Sequence, residues 1–168
     1  MENKTLVSDF FIPFMPPSAN KVYSHNWVMK YTYLSTEATE FRSKFRNHVI
    51  DNYLKETALT PSSFPKDNVP YRVVICFVIP DLINKGWPKT KTKYRRKDLS
   101  NWVKLLEDCV KDLFAYDDSQ NVQIILDKRR GNKDLCGVRI QIFELDPEDV
   151  DTVIVDEDHL TEIINGWK

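Results

Sequence analysis

Residues 95–120, RRKDLSNWVKLLEDCVKDLFAYDDSQ, hold the side chains best suited to chemistry. A basic run meets a first aspartate, Asp98; a helical stretch follows, and a double aspartate, Asp117-Asp118, stands at its exit. Carboxylates brought together from the two ends of one helix can hold a hard cation, and adjoining positive charge can hold a phosphodiester beside it. Lys104, in the middle of the stretch, is placed to meet a scissile phosphate or the leaving oxygen. The combination points to metal-assisted cleavage of nucleic acid. Each piece alone also has an ordinary structural reading. An aspartate at a helix start is commonly a cap or a dipole partner. Asp117-Asp118-Ser119 resembles a simple turn, and a mid-helix lysine is commonly just solvated.

The helix must span about 98–114. On a 100° wheel Leu99, Trp102, Val103, Leu106, Cys109, Val110 and Leu113 share one face, and Asn101, Lys104 and Asp108 form a stripe opposite. Asp98 and Asp118 then flank a rod of roughly 25 Å, so they meet only if the chain doubles back along it. A strand beginning near residue 121 and running antiparallel to the helix would do this. Elsewhere, residues 5–14 read as a strand stopped by Met15-Pro16-Pro17, and 18–34 as a loop rich in Asn, Tyr and Lys. Ser35 is suited to cap a helix over about 36–56, with Phe41, Phe45, His48, Val49 and Tyr53 near helical spacing. Residues 70–79, PYRVVICFVI, form the clearest strand, β-branched and central in type. A basic loop occupies 80–97, and two strands near 121–130 and 137–145 are joined by the turn Gly131-Asn132-Lys133-Asp134. The order β-α-β-α-β-β predicts a single α+β domain, a mixed sheet packed with helices, over residues 1–145. Residues 146–168 form an acidic tail with a short helix near 158–166.

A chain of 168 residues with 42% hydrophobic residues is enough for one such core. The net charge of −1 hides a division. Nine acids and no Lys or Arg lie between Glu144 and Glu162, which leaves residues 1–143 with 23 basic and 16 acidic residues, about +7. Lys85, Lys89, Lys91, Lys93, Arg95, Arg96 and Lys97 follow one another without an acid among them, and Trp87 and Tyr94 are interspersed. That mixture suits nucleic-acid contact. The acidic tail is a solvated end or a competitor with DNA for the basic loop. Cys76, Cys109 and Cys136 are odd in number and widely spaced, and His25, His48 and His159 lack zinc spacing, so neither set makes a site. No segment approaches the roughly 20 apolar residues of a membrane span, and the N-terminus lacks a signal-peptide pattern. The expected setting is cytoplasmic.

At these residues the chain resembles the RusA family of Holliday junction resolvases. The family pattern places a basic run before D-x-D-N-x-x-K on a helix, then D-D-x-Q before a strand. Here it reads Arg95-Arg96-Lys97-Asp98-Leu99-Ser100-Asn101, then Lys104, then Asp117-Asp118-Ser119-Gln120. Pro16-Pro17-Ser18-Ala19-Asn20, followed by Tyr23, His25 and Asn26, looks like the family's P-P-S-x-N loop after the first strand. The resemblance spans about residues 5–145. It implies a homodimeric, Mg²⁺-dependent endodeoxyribonuclease (Mn²⁺ being the other cation considered) that binds four-way DNA junctions in recombination and repair. On matching positions Asp98 and Asp118 would be catalytic and metal-binding, with Asp117 beside them as a further ligand. Lys104 would be the functionally important lysine. Arg95, Arg96, Lys97 and Asn101 would bind the substrate, Lys97 and Asn101 lying near the cleaved phosphate. One departure matters: the second aspartate of D-x-D is Ser100, a poorer ligand for Mg²⁺ than a carboxylate. Asp108 or Asp117 could supply the missing charge. The alternatives are a non-catalytic junction-binding protein that lost activity with Ser100, and a nuclease acting on flaps or single strands.

Overall fold

The structure, a computed structural model, describes residues 4–54, 64–89, 91–95, 98–132 and 135–151. Its centre is the strand β4, Tyr71–Ile79, whose alternate residues Tyr71, Val73, Ile75, Phe77 and Ile79 are buried. β-Branched and aromatic residues at period two on a half-buried pleat are what a central strand needs. β4 is flanked by β5, Asn121–Arg130, in parallel, and by β6, Gly137–Leu145, in antiparallel. β1, Lys4–Ile12, closes the far side, giving a mixed four-stranded sheet in the order β1-β6-β4-β5. The four strand ranges follow the expectation to within two residues, and the α+β class holds.

Helices cover one face of this sheet. α2, Thr36–Val49, starts at Ser35, whose hydroxyl accepts the Ala38 N–H at 3.1 Å. It buries Ala38, Phe41, Phe45 and Val49. The α-helix ends earlier than expected and widens into a π-helical turn, Ile50–Leu54; residues 55–63 lie outside the described set. The widening has a purpose in packing. The Tyr53 hydroxyl donates to the Phe11 carbonyl at 3.0 Å and accepts the Phe11 N–H at 3.0 Å, and His48 Nε2 meets that carbonyl at 3.0 Å. Together they close part of the outer edge of β1, a strand that otherwise exposes unpaired backbone groups. The opposite sheet face is polar in part, with Arg139 donating to both carboxylate oxygens of Asp9 at 2.9 and 2.6 Å.

The parallel pairing of β4 with β5 requires a crossover, and α3, Ser100–Phe114, is that crossover. Trp102, near its start, packs on Phe77 late in β4, while Tyr116, past its end, packs on Tyr71 at the start of β4. The helix therefore runs antiparallel to β4 and β5. Its buried stripe is wider than the wheel predicts: Leu105 is buried with Leu106, Cys109 and Val110, because α3 touches both the sheet and α2. Burial pushes the Cys109 thiol up to about 12, so it is an inert core residue.

The region expected to be a loop contains two elements. α1, Ala19–Val22, packs on α3 and leads into a two-stranded hairpin, β2 (Tyr23–Asn26) with β3 (Tyr31–Leu34). Alternating Tyr and polar residues were the missed signal. α4, Pro147–Asp151, begins the acidic tail; the helix expected at 158–166 lies outside the described residues.

Gly137 starts β6 against the end of β1. A Cβ there would overlap the Ile12 carbonyl oxygen and lie 2.9 Å from the Phe11 ring. Gly137→Ala is expected to destabilise the fold by about 1–3 kcal/mol through overpacking, measured as a fall in the urea unfolding midpoint at unchanged slope.

Candidate active site

The double aspartate is returned to the helix by a short, well-anchored turn. Ala115, at φ 54°, adopts the left-handed conformation that ends α3. Tyr116 then drops into the core against Phe64 and Tyr71, its hydroxyl donating to the Asn121 carboxamide at 3.1 Å. Burial pushes this phenol up to about 12. A 3-10 turn, Asp118–Gln120, follows. Gln120 donates from its amide nitrogen to the Lys66 carbonyl at 2.9 Å and the Val69 carbonyl at 3.3 Å, tying the turn to the segment before β4.

This return lays Asp118 against the polar side of α3. Lys111 Nζ donates to Asp118 Oδ1 at 2.9 Å, and Lys104 Nζ lies 3.7 Å from Oδ2. Lys104 also pairs with Asp108 at 3.0 Å, one turn along. The expected stripe of Asn101, Lys104 and Asp108 thus continues through Lys111, and Glu107 joins it; neither was singled out from the sequence. The i, i+3, i+4, i+7 spacing of 104, 107, 108 and 111 was the available signal.

The charges shift one another as their signs require. The hydrogen bond from Lys111 holds the Asp118 carboxyl below the usual carboxylate range, and Asp108 raises the Lys104 ammonium. Burial pushes the Glu107 carboxyl up, against the opposing pull of Lys104. Asp118 is therefore fully ionised at neutral pH. Its pairing stabilises the fold above the unfolded carboxylate pKa and is lost as pH falls through the lowered folded value.

Asp98 stands apart from this cluster, exposed at the start of α3. Its Oδ1 accepts the Ser100 N–H at 3.2 Å and the Ser100 hydroxyl at 2.7 Å, while Oδ2 has no partner among the described residues. No hydrogen bond or ion pair joins Asp98 to the Lys104–Asp118 cluster. Lys104, roughly 9 Å along the helix axis from Asp98, is the group between them. Asn101, half-buried, makes no side-chain hydrogen bond among the described residues. Asp117 is turned to its own backbone, accepting the Ser119 N–H at 3.0 Å, and this bond lowers its carboxyl pKa. Arg95 pairs with Asp81 at 2.5 Å at the base of the basic loop, which is closed by the Ile83–Tyr94 bridge. Arg96 and Lys97 lie outside the described residues.

The model of the endodeoxyribonuclease RusA family matches residues 13–143, most of the chain. The chain belongs to the RusA family. No curated protein matches it as a relative. RusA membership makes the chain a nuclease. No helix among the described residues is long and apolar enough to cross a membrane.

The donor set is entirely oxygen, which suits a hard divalent cation rather than zinc. Among the described residues no three His, Cys, Asp or Glu side chains converge as a cage. Mg²⁺ does not require one: it is usually held by one or two carboxylates, with waters and substrate phosphate completing the shell. Asp118 and Asp108, which both meet Lys104, fit that limited role, and Asp98 is not brought to them. Because Gln120 sets where Asp118 falls, Gln120→Ala is expected to lower stability by about 1–2 kcal/mol through two unsatisfied carbonyls and to slow strand nicking severalfold. Urea unfolding and single-turnover cleavage measure the two; a variant as stable as the parent would show the turn to be held otherwise.

Proposed function

We propose that the chain is a structure-selective endodeoxyribonuclease that resolves Holliday junctions with Mg²⁺ or Mn²⁺. The observation that carries this reading is the return of Asp118 onto the Lys104–Lys111 stripe of the helix that Asp98 opens at the exit of a basic loop. Asp98 and Asp118 are the catalytic carboxylates, with Asp117 a candidate third ligand whose carboxylate would first have to leave the Ser119 N–H. A divalent cation bound there supplies positive charge to the phosphate oxygens and lowers the pKa of a coordinated water.

The remaining work falls to the chain's own side chains. Lys104 and Lys111 exchange their carboxylate partners for phosphate oxygens as DNA enters, and Lys104 faces the leaving oxygen. Asn101 donates to the backbone beside the cleaved bond. Lys85, Lys89, Lys91, Lys93, Arg96 and Lys97 track the phosphates, and Arg95 joins them only by sharing Asp81. Branched DNA is the substrate, and cutting strands of like polarity on a four-way junction calls for two sites related by a two-fold axis. A homodimer supplies them. The exposed Val122, Ile124 and Ile125 of the edge strand β5 support a second copy at that edge. The end of the family match at residue 143 supports a nuclease domain of 1–145 followed by an acidic tail of 146–168.

Asp118→Asn is expected to lower metal-dependent nicking of a synthetic four-way junction roughly 100-fold or more, the scale of one lost electrostatic stabiliser, while junction binding persists. Undiminished cleavage would remove the role assigned to Asp118. Ser100→Asp tests the rival reading of a junction binder without chemistry. In an active enzyme it raises the apparent affinity for Mg²⁺ in cleavage titrations. Cleavage found only in that variant would show that the natural chain binds without cutting.

A further inference from the structure

Among the described residues, the most exposed apolar surface lies outside the acidic cluster, on the β2–β3 hairpin. Trp27 is 83% exposed, Val28 89% and Met29 69%, and all three sit at its tip. The tip is built, not frayed: the Asn26 carboxamide oxygen accepts the N–H groups of Val28 and Met29 at 3.1 and 2.9 Å, and Lys30 closes the turn at φ 54°. Behind it the strands are in register, Ser24 opposite Tyr33 and Asn26 opposite Tyr31. Tyr31 and Tyr33 thus share one face, with ring centroids 5.6 Å apart, and only Ser24 and Asn26 lie across from them. Their rings stay exposed. On the other face His25 holds Trp27 edge-on at 4.4 Å and is itself fixed by Thr32 at 3.1 Å.

The charge around this surface selects its partner. No Asp or Glu occurs from Phe10 to Thr36. Lys30 makes no ion pair among the described residues, and Lys21 at the base is paired with Glu37 at 3.4 Å. Exposed flat rings with positive charge and no acid are suited to nucleic-acid bases, which offer π-faces beside phosphates. Intact duplex hides those faces, whereas a branch point exposes them. Apolar wedges entering such places partly unstack the neighbouring steps. α1, at the hairpin's base, packs on α3, so the hairpin and the cleavage cluster share one support.

We propose that the β2–β3 hairpin is a base-stacking wedge that enters the open centre of branched DNA, led by Trp27 and flanked by Tyr31 and Tyr33. The assignment rests on the reading of the chain as a junction nuclease and adds to it the element that distinguishes a branch from a duplex.

The test uses the full chain in EDTA, which stops cleavage, with a four-way junction and a linear duplex of matched sequence. Each carries 2-aminopurine at its central position. The parent protein should prefer the junction and raise its 2-aminopurine fluorescence. Trp27→Ala should weaken junction binding about tenfold or more and abolish that rise, leaving duplex binding within about twofold. Trp27→Phe should restore most of both, and an unchanged thermal midpoint excludes misfolding. Tyr31→Ala should give a smaller loss in the same direction. The proposal is overturned by unchanged junction binding and fluorescence in Trp27→Ala, by equal losses on both DNAs, or by a parent without junction preference. It is also overturned if sedimentation shows that Trp27→Ala splits an oligomer, since the tip would then contact a second copy. Failure of the nuclease reading registers separately, as absence of metal-dependent nicking by the parent, and leaves these binding comparisons intact.

Discussion

Everything at the site follows from the parallel pairing of β4 with β5. Two parallel neighbours cannot be joined by a tight turn, so the chain must leave at the end of β4, cross the sheet and re-enter beside the start of β4. α3 makes that journey with Trp102 on Phe77 and Tyr116 on Tyr71. Its two ends are thereby assigned to opposite ends of the sheet. Asp98 goes to one and the Asp117-Asp118 turn to the other. A helix of this length keeps them apart, and the return of the chain into β5 brings Asp118 back only as far as Lys111 and Lys104. The buried phenol of Tyr116 and the two carbonyl bonds of Gln120 fix how far back it comes.

The stripe this creates alternates in sign, and the alternation has a physical reason. Burial already raises the Glu107 carboxyl, and the like charges of Asp118 and Asp108 beside it push in the same direction. Lys104 and Lys111 offset that charge by sharing themselves between the acids. These pairs are exposed, so water competes with them and each is weak. Weakness is useful here. On the proposed reading, a phosphate draws the lysines away and frees carboxylates suited to a cation. The cluster is thus kept charged and ordered by contacts that substrate can replace.

The sheet was legible because its strands carry strong local signals. β4 alternates over nine residues, and β5 and β6 are punctuated by Gly131 and Gly137. The polar stripe was legible from Asn101 to Asp108, and the same helical spacing extends it to Lys111. Spacing alone gave Lys111 no partner, since the Asp118 it bonds is not its neighbour on the helix but is delivered by the turn. The return itself was only a requirement stated in advance, since nothing in Ala115-Tyr116 announces that one residue adopts a left-handed conformation and the next enters the core. The hairpin at 23–34 was missed for another reason. Its strands are four residues each and pair only with one another, so its aromatic residues read as loop composition instead of as period-two strands.

Ser100 is best understood through the contact it makes. A carboxylate at this position would stand beside Asp98 at the start of α3, two like charges whose mutual repulsion only a cation would relieve. The serine hydroxyl instead donates to Asp98 Oδ1, and the Ser100 N–H adds a second bond to the same oxygen. One oxygen is thereby fixed by its own chain while Oδ2 is left open. The consequence is a single oriented carboxylate at this end of the helix in place of a charged pair. On the proposed reading, such an end would bind a cation less strongly by itself and would depend more on the phosphate that arrives with the DNA. On that reading, serine at this position shifts the assembly of the site toward the substrate-bound state, where Asp118, Lys104 and the phosphate would supply what the Asp98 end does not provide alone.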